Sequence, residues 1–564
     1  MSQIKLRSTK KQRFKACVLR TNYKPSHGHD GPHAIELPAR KDEANMEATA
    51  SPPSEATQRA SMPPEYLERL GRERPAFFAN WLTEVLFVAS VVMSIVMSEY
   101  FIAGFNIILP VVSDALTIPT RARTWPAGVM NLTTAALLLP SSRLCDLYGS
   151  RRVFFCGHAW LIIWSLAGGF SGSTTMLIFC RAMQGIGAAA FLPSSLALLA
   201  RIYRPGPRKN IIFSIYGAFS CIGFIIGIVV GGLVSEFLRW PWYFWIGAII
   251  GAFTALCGAL SIPALDDTTP GARMDWLGVV TIVPGLVLVI FALTDGGHAP
   301  DGWRTPYIYT TLCLGIVFLA AAVYSQGWAA SKPLLPGDIF KHRYIKRLVA
   351  VLFLSYGICG LCLFYASFYI ETVMQASPLL TAAYFLPMAI GGIVLAVGGG
   401  FILHIIPNRF MMLVSSLGFM LQTLLWALIP VDPSKSTTFL YWAYVMPAML
   451  AGTIGVDIAF NVGNIYITTA VPKRHQAAAS GLSNSLVYLG IAFWLGVTEL
   501  AVSTAVRHRG DGKVGLGEQY KIAFYVGVGL SALSLALTLT IKIGQAESAL
   551  TADEKAEREL EMTE

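Results

Sequence analysis

Glu99, Arg181 and Asp457 stand inside stretches of the chain that are otherwise almost wholly apolar, and chemistry is to be sought there first. A carboxylic acid in apolar surroundings favours its neutral form, so it can take up and release a proton near neutral pH. A guanidinium has no such option. Placing one at the centre of a bilayer costs at least about 2.5 kcal/mol on insertion scales, so Arg181 must face a bundle interior or an aqueous cavity. Helical spacing gives each group polar neighbours. Glu99 shares a face with Asn106 at i+7. Asp457, Asn461 and Asn464 form a stripe at i, i+4 and i+7, while Arg181, Gln184, Gly185 and Ala188 sit at i, i+3, i+4 and i+7. The plainer alternative for each acid is a permanently protonated group, hydrogen-bonded within the bundle. For Arg181 it is a side chain reaching outward from a helix end. Glu371 and Glu499 lie nearer the outer ends of their runs and read as acids that snorkel to the membrane surface.

The elements that must position these groups are membrane helices. Of 564 residues, 54% are hydrophobic and 13% charged, against about a quarter charged in a soluble domain. So little charge cannot cover a water-facing surface, and the apolar excess faces lipid. A spanning helix takes roughly 20 apolar residues. Runs of that kind occupy 85–109, 125–142, 153–170, 176–199, 211–234, 242–262, 276–293, 307–324, 348–370, 379–403, 410–429, 439–460, 477–502 and 522–541, of which the second, seventh and eighth are weakest. The loops following even-numbered runs hold about twice as many Lys and Arg as the opposite set, which makes them cytosolic, together with both termini. This topology accounts for the formal charge of +10 without nucleic acid. Residues 1–80 read as a disordered cytosolic tail, basic and acid-free over its first 24 positions; a transit peptide is the alternative. The sequon Asn131-Leu-Thr133 falls inside the second run, where glycosylation is not expected. Most of the nine cysteines lie in or beside apolar runs and read as small apolar fillers.

Three motifs punctuate the runs. After the second comes Ser142-Arg-Leu-Cys-Asp-Leu-Tyr-Gly-Ser-Arg-Arg-Val153, read as a loop in which the acid pairs with loop cations or an adjacent helix end. A degenerate echo after the tenth run places Gly400, His404 and Arg409 in register with Ser142, Asp146 and Arg151. The fifth run carries Gly223, Gly227, Gly231 and Gly232, with Gly217 upstream, a stripe that permits close helix contact. No glycine-rich phosphate loop followed by Lys-Ser/Thr appears, and no metal-ligand spacing, so no cofactor and no enzymatic activity are expected.

Asp146, Gly149, Arg151 and Arg152 resemble the cytoplasmic signature of the major facilitator superfamily, and Arg181-Ala-Met-Gln-Gly-Ile-Gly-Ala its second signature. The glycine stripe resembles the superfamily's antiporter signature, with Ile228 where proline is usual. Asn106-Ile-Ile-Leu-Pro110, Asp275-Trp-Leu-Gly278 and Pro333-Leu-Leu-Pro336 with Phe340 are similar to features of the fungal fourteen-helix drug:proton antiporter branch. That branch has an acid where this chain has Phe101, two residues beyond Glu99. The resemblance covers about 80–545 and implies an all-α fold of two six-helix bundles, 81–263 and 346–541. Two inserted helices lie in 264–345, and a cytosolic tail occupies 542–564. It implies proton-driven export of toxic or secondary-metabolite small molecules, with Glu99 or Asp457 exchanging the proton and Arg181 tuning that acid. Asp146, Gly149, Arg151 and Arg152 would gate access. Asn106, Gln184, Asn461 and Tyr365, beside Phe364 and Tyr369, are candidate solute contacts. The expected partners are a small-molecule substrate, protons and the lipid bilayer, with the chain acting as a monomer in the plasma membrane or, alternatively, the vacuolar membrane. A nutrient uniporter or proton symporter and a non-transporting solute sensor are the other readings that stay open.

Overall fold

The computed structural model of the chain describes residues 73–543, apart from 76, 204–206, 265–267, 269–270, 272, 331–332, 403–405, 432–435, 472–475 and 511–512. The expected N-terminal tail up to residue 72, His404 of the echo motif and the C-terminal tail from residue 544 lie outside the described residues.

Fourteen long helices follow one another in the described residues. They are α1 (Trp81–Ala115), α2 (Thr124–Tyr148), α3 (Ser150–Gly169), α4 (Thr174–Ile202), α5 (Pro207–Phe237), α6 (Pro241–Ser261) and α7 (Trp276–Asp295). The others are α8 (Pro306–Tyr324), α9 (Ile345–Val373), α10 (Pro378–Ile402), α11 (Asn408–Leu428), α12 (Thr437–Thr468), α13 (Gln476–Arg509) and α14 (Leu516–Leu539). Each covers one expected run. Twelve are long and apolar enough to cross a membrane. The two that fall short are α2 and α3, not the inserted pair α7 and α8: α2, one of the runs expected to be weak, carries Thr, Asn, Pro and Gly among its apolar residues, and α3 begins with Arg151 and Arg152 inside the helix. Both still pack as full-length members of the bundle.

The first six helices pair as α3 with α4, α2 with α4, α3 with α6, α1 with α5 and α1 with α6. The last six repeat those pairings: α11 with α12, α10 with α12, α11 with α14, α9 with α13 and α9 with α14. The two sets meet through α5 against α10 and α2 against α13, which the same repeat exchanges. The inserted α7 lies against α2 and α13, and α8 packs on α7. Asp275 joins that pair: it caps α7 by accepting from the Gly278 N–H at 2.9 Å and accepts from the Gln326 amide beyond α8 at 2.6 Å. An N-cap acceptor satisfies a backbone donor that the helix cannot.

Candidate functional site

The structure brings Glu99 and Asp457 together from opposite halves. Ser220 on α5 stands beside the Glu99 carboxyl, and Asp457 lies within electrostatic reach of it. The Thr453 hydroxyl donates to Asp457 Oδ2 at 2.8 Å, one turn away on α12, and its Oγ1 also lies 2.8 Å from the Met388 carbonyl. The approach depends on Gly392 of α10, where a Cβ would stand 3.1 Å from both Asp457 Oδ2 and Cys221 Sγ. Tyr216, Tyr488 and Cys359 surround Glu99, and Tyr488 shares a 3.1 Å hydrogen bond with Ser98, tying α13 to α1. No cation pairs with either acid among the described residues. Asn461 belongs to the same stripe, its amide donating to the Asp457 carbonyl at 2.9 Å.

Glu99 is presented by an irregular helix. Residues Tyr100–Gly104 form a π turn within α1. Its widened register breaks the heptad relation, so Asn106 does not share the face of Glu99, contrary to expectation. The Asn106 amide instead donates to the Ile102 carbonyl at 2.7 Å, inside the π turn. The Tyr243 hydroxyl donates to the Tyr100 carbonyl, and the Tyr100 hydroxyl returns the bond to the Tyr243 carbonyl at 2.7 Å. Pro110 removes the N–H that the Asn106 carbonyl would accept. Phe101 is fully buried and lies edge-on to Tyr243 of α6, so position 101 points away from the acid pair.

The glycine stripe of α5 lies along this stretch of α1. A Cβ at Gly223 would stand 2.7 Å from Val96 Cα, one at Gly227 2.9 Å from Tyr100 Cα, and one at Gly231 2.7 Å from the Gly104 carbonyl oxygen. Gly232 turns toward α10, where a Cβ would meet that of Ala382 at 2.9 Å. Backbone touches backbone here, and only glycine leaves room for it. Ile228, in the place of the usual proline, is fully buried. Gly217, with nothing within 4 Å of its would-be Cβ, takes no part.

Arg181 is completely buried. Its Nε donates to the Pro126 carbonyl at 3.1 Å and its Nη1 to Gln184 Oε1 at 3.1 Å, while the Gln184 amide donates to Ser165 at 3.1 Å. The guanidinium carbon stands 4.0 Å from the centre of the Phe105 ring. Its polar partners are thus neutral, and no carboxylate contacts it among the described residues. Gln184, Gly185 and Ala188 are buried with it, as the one-face spacing requires.

At the helix ends expected to be cytosolic, α2 runs on to Tyr148, so Asp146 sits in its last turn and the expected loop shrinks to Gly149. Gly149 adopts φ 87°, ψ 139°, a left-handed conformation that suits glycine. Asp146 pairs with Arg143 at 3.4 Å and with Arg201, at the end of α4, at 3.6 Å. Arg151 lies over Phe155, and Arg152 is exposed. Nearby, Glu84 takes Arg208 Nε at 2.9 Å and the Tyr203 hydroxyl at 2.9 Å, clasping the start of α1 to α4 and α5. Burial pushes the Tyr203 hydroxyl above its ordinary range, and Glu84 adds to the shift.

Glu499 corrects the sequence reading. It does not snorkel; its side chain is 8% exposed. His298, from the α7–α8 connection, lies 2.7 Å from Oε1, and the Tyr365 hydroxyl donates to Oε2 at 2.8 Å. Tyr365, Phe364 and Glu499 line a cavity of about 630 Å³ at the ends of the helices opposite to Asp146. Tyr369 points elsewhere, its hydroxyl donating to the Pro430 carbonyl. Glu371 is largely buried too, with Oε1 unpartnered. Ser220, Thr453, Tyr488, His298 and Arg201 carry no motif; only their placement reveals them.

The family model of the Major Facilitator Superfamily matches residues 85–495. Curated relatives include the low affinity ammonium transporter of Saccharomyces cerevisiae, 33% identical over 74% of this chain and 80% of the relative. The efflux pump terJ of Aspergillus terreus is 32% identical over 87% and 93%. The aminotriazole resistance protein of S. cerevisiae is 28% identical over 82% and 84%. Among solved structures, the peptide transporter POT in complex with sulfate superposes with a TM-score of 0.57 at 14% identity, covering 84% of this chain and 98% of its own. Nucleoside transporter NupG gives 0.52 at 15% identity, covering 82% and 100%. These last two likenesses bear on the fold alone.

Proposed function

Since the chain belongs to the major facilitator superfamily, and within it to the fungal drug-transporter branch, we propose that it is a secondary active transporter exporting small toxic molecules in exchange for protons. The observation that carries the reading is the Glu99–Asp457 pair. Two acids from opposite halves lie within electrostatic reach of each other, Glu99 beside Ser220 and Asp457 accepting from Thr453, and neither is paired with a cation among the described residues. A fixed cation would hold a carboxylate ionised, whereas neutral donors leave it free to take and lose a proton. A proton on the pair removes a repulsion between the halves, and its loss restores it. That couples protonation to the relative position of α1 and α12. Arg181 acts on this site through its field, which reaches further in low dielectric than in water. The Asp146–Arg201 pair, spanning α2 and α4, is the bond we assign to the cytosolic gate. Asn461 is the candidate solute contact beside the acids. We place the protein in the plasma membrane, acting as a monomer.

A second reading has its own support. The ammonium transporter relative favours a facilitator or proton symporter carrying a small cation. Inside-out vesicles separate the two. Under an imposed proton gradient, export predicts accumulation of drug-like solutes that a protonophore abolishes. Uptake of methylammonium into right-side-out vesicles, with no gradient-driven drug accumulation, overturns the antiport reading.

A further inference from the structure

The cavity at the helix ends opposite to Asp146 lies away from the acid pair and has a chemistry of its own. It is walled by α9, α13, the start of α14, the α1–α2 connection and the α7–α8 connection. At about 630 Å³ it falls within the size range of small-molecule sites. Its charges are unequal. The only acid lining it among the described residues, Glu499, has both oxygens occupied by His298 and Tyr365. Two guanidiniums, Arg123 and Arg507, remain. Arg507 is spent on the α7–α8 connection, donating to the Pro300 carbonyl at 3.0 Å, which leaves its charge uncompensated. Arg123 has no carboxylate partner among the described residues, and its Nε–H is buried without a hydrogen-bond partner. Its guanidinium carbon stands 5.7 Å from the centre of the Phe368 ring, and its charge lies within electrostatic reach of the Tyr520 hydroxyl, which lines the same cavity.

A half-buried cation without a counter-charge, set among aromatic faces, is the complement of one ligand class. The carboxylate of a flat aromatic acid supplies the missing charge, and Arg offers it a forked set of donors. The body of the ligand then lies against Phe364, Phe368 and Tyr520. Cationic and neutral compounds of the same shape lack the first contact. We propose that this cavity is a binding site for an aromatic organic anion, anchored by Arg123 and closed on one side by the inserted helix pair.

The test is equilibrium binding to the purified full chain in lipid nanodiscs, with empty nanodiscs as the blank. The probes are 2-naphthoate, 2-naphthalenemethanol and 2-naphthylmethylamine. Saturable one-to-one binding of 2-naphthoate, at least tenfold weaker for the alcohol and the amine, is expected. Arg123→Gln should lose at least tenfold in naphthoate affinity, and Arg123→Lys should regain part of it. If Arg123→Gln fails to fold, as judged by size exclusion and melting, Phe368→Leu takes its place and should also weaken binding. No saturable naphthoate binding, equal binding of the three probes, or undiminished binding by a folded Arg123→Gln overturns the proposal. So does loss of binding in Glu99→Gln with retention in Arg123→Gln, which moves the ligand to the acid pair.

Discussion

Glu99 and Glu499 are both carboxylates sunk in helices, and the molecule surrounds them in opposite ways. Glu99 has a serine, tyrosines and another acid about it, and no cation among the described residues. Glu499 has an imidazole on one oxygen and a phenol on the other. Burying an ionised group without a partner is costly, while pairing it makes the same burial tolerable. Glu499 is therefore held in place by its partners, and it fastens the inserted pair to α9 and α13. Glu99 has no such fixture, and under the proposed function its state follows the proton supply. Depth in the membrane is common to both; the neighbours brought by other helices differ, and on the proposed reading they make one a switch and the other a rivet.

Substitutions can break this contrast. The largest effect is expected from Glu99→Gln, which mimics a permanently protonated acid with nearly the same shape. Gradient-driven transport should fall to background while solute exchange without a gradient persists; normal driven transport would remove Glu99 from the coupling. Arg181→Ala should come next. It leaves the Pro126 carbonyl and Gln184 short of a donor inside the bundle, a cost of about 1–3 kcal/mol, and transport should be lost while insertion survives. Lysine should rescue part of it, since the charge returns without the fork. Wild-type transport by an inserted Arg181→Ala protein would reduce the residue to packing.

Asp457→Asn should slow driven transport about tenfold, the equivalent of about 1.4 kcal/mol on a barrier, if Asp457 assists Glu99 rather than replacing it. Loss as deep as that of Glu99→Gln would make the two a single unit. Glu499→Gln should have the smallest effect on transport, leaving the rate within a few-fold. It should still lower the melting temperature, because His298 and Tyr365 lose the carboxyl that joins them. Abolished transport with an unchanged melting temperature would reverse the roles of switch and rivet.

The helices are legible in the sequence because an apolar run of bilayer length satisfies its own backbone in lipid only by coiling, and each expected run falls on a helix. Their ends are less so: the polar stretch Arg143–Tyr148 looks like loop but continues α2. The identities of Glu99, Asp457 and Arg181 can be read from charge at depth. Their mutual arrangement cannot, since Glu99 and Asp457 come from different halves and Arg181 belongs with Phe105 and Pro126. The π turn in α1 leaves no mark either, because Tyr100, Phe101, Ile102, Ala103 and Gly104 are all compatible with an α-helix. Glu499 misleads for a related reason. Its position along α13 gives its depth, but the groups that saturate it come from α9 and the α7–α8 connection.

The glycine contact between α1 and α5 has a mechanical consequence. Where two main chains press together with no side chains between them, nothing in the joint can bend to a new rotamer or absorb a small error in spacing. The pair is expected to move as one stiff beam. The Glu84–Arg208 clasp joins the same two helices at one end, so a displacement there is expected to reach Ser220 and Glu99 along that beam. A methyl group added at Gly227 would act like grit in a bearing, and the damage would be felt along the whole length of both helices.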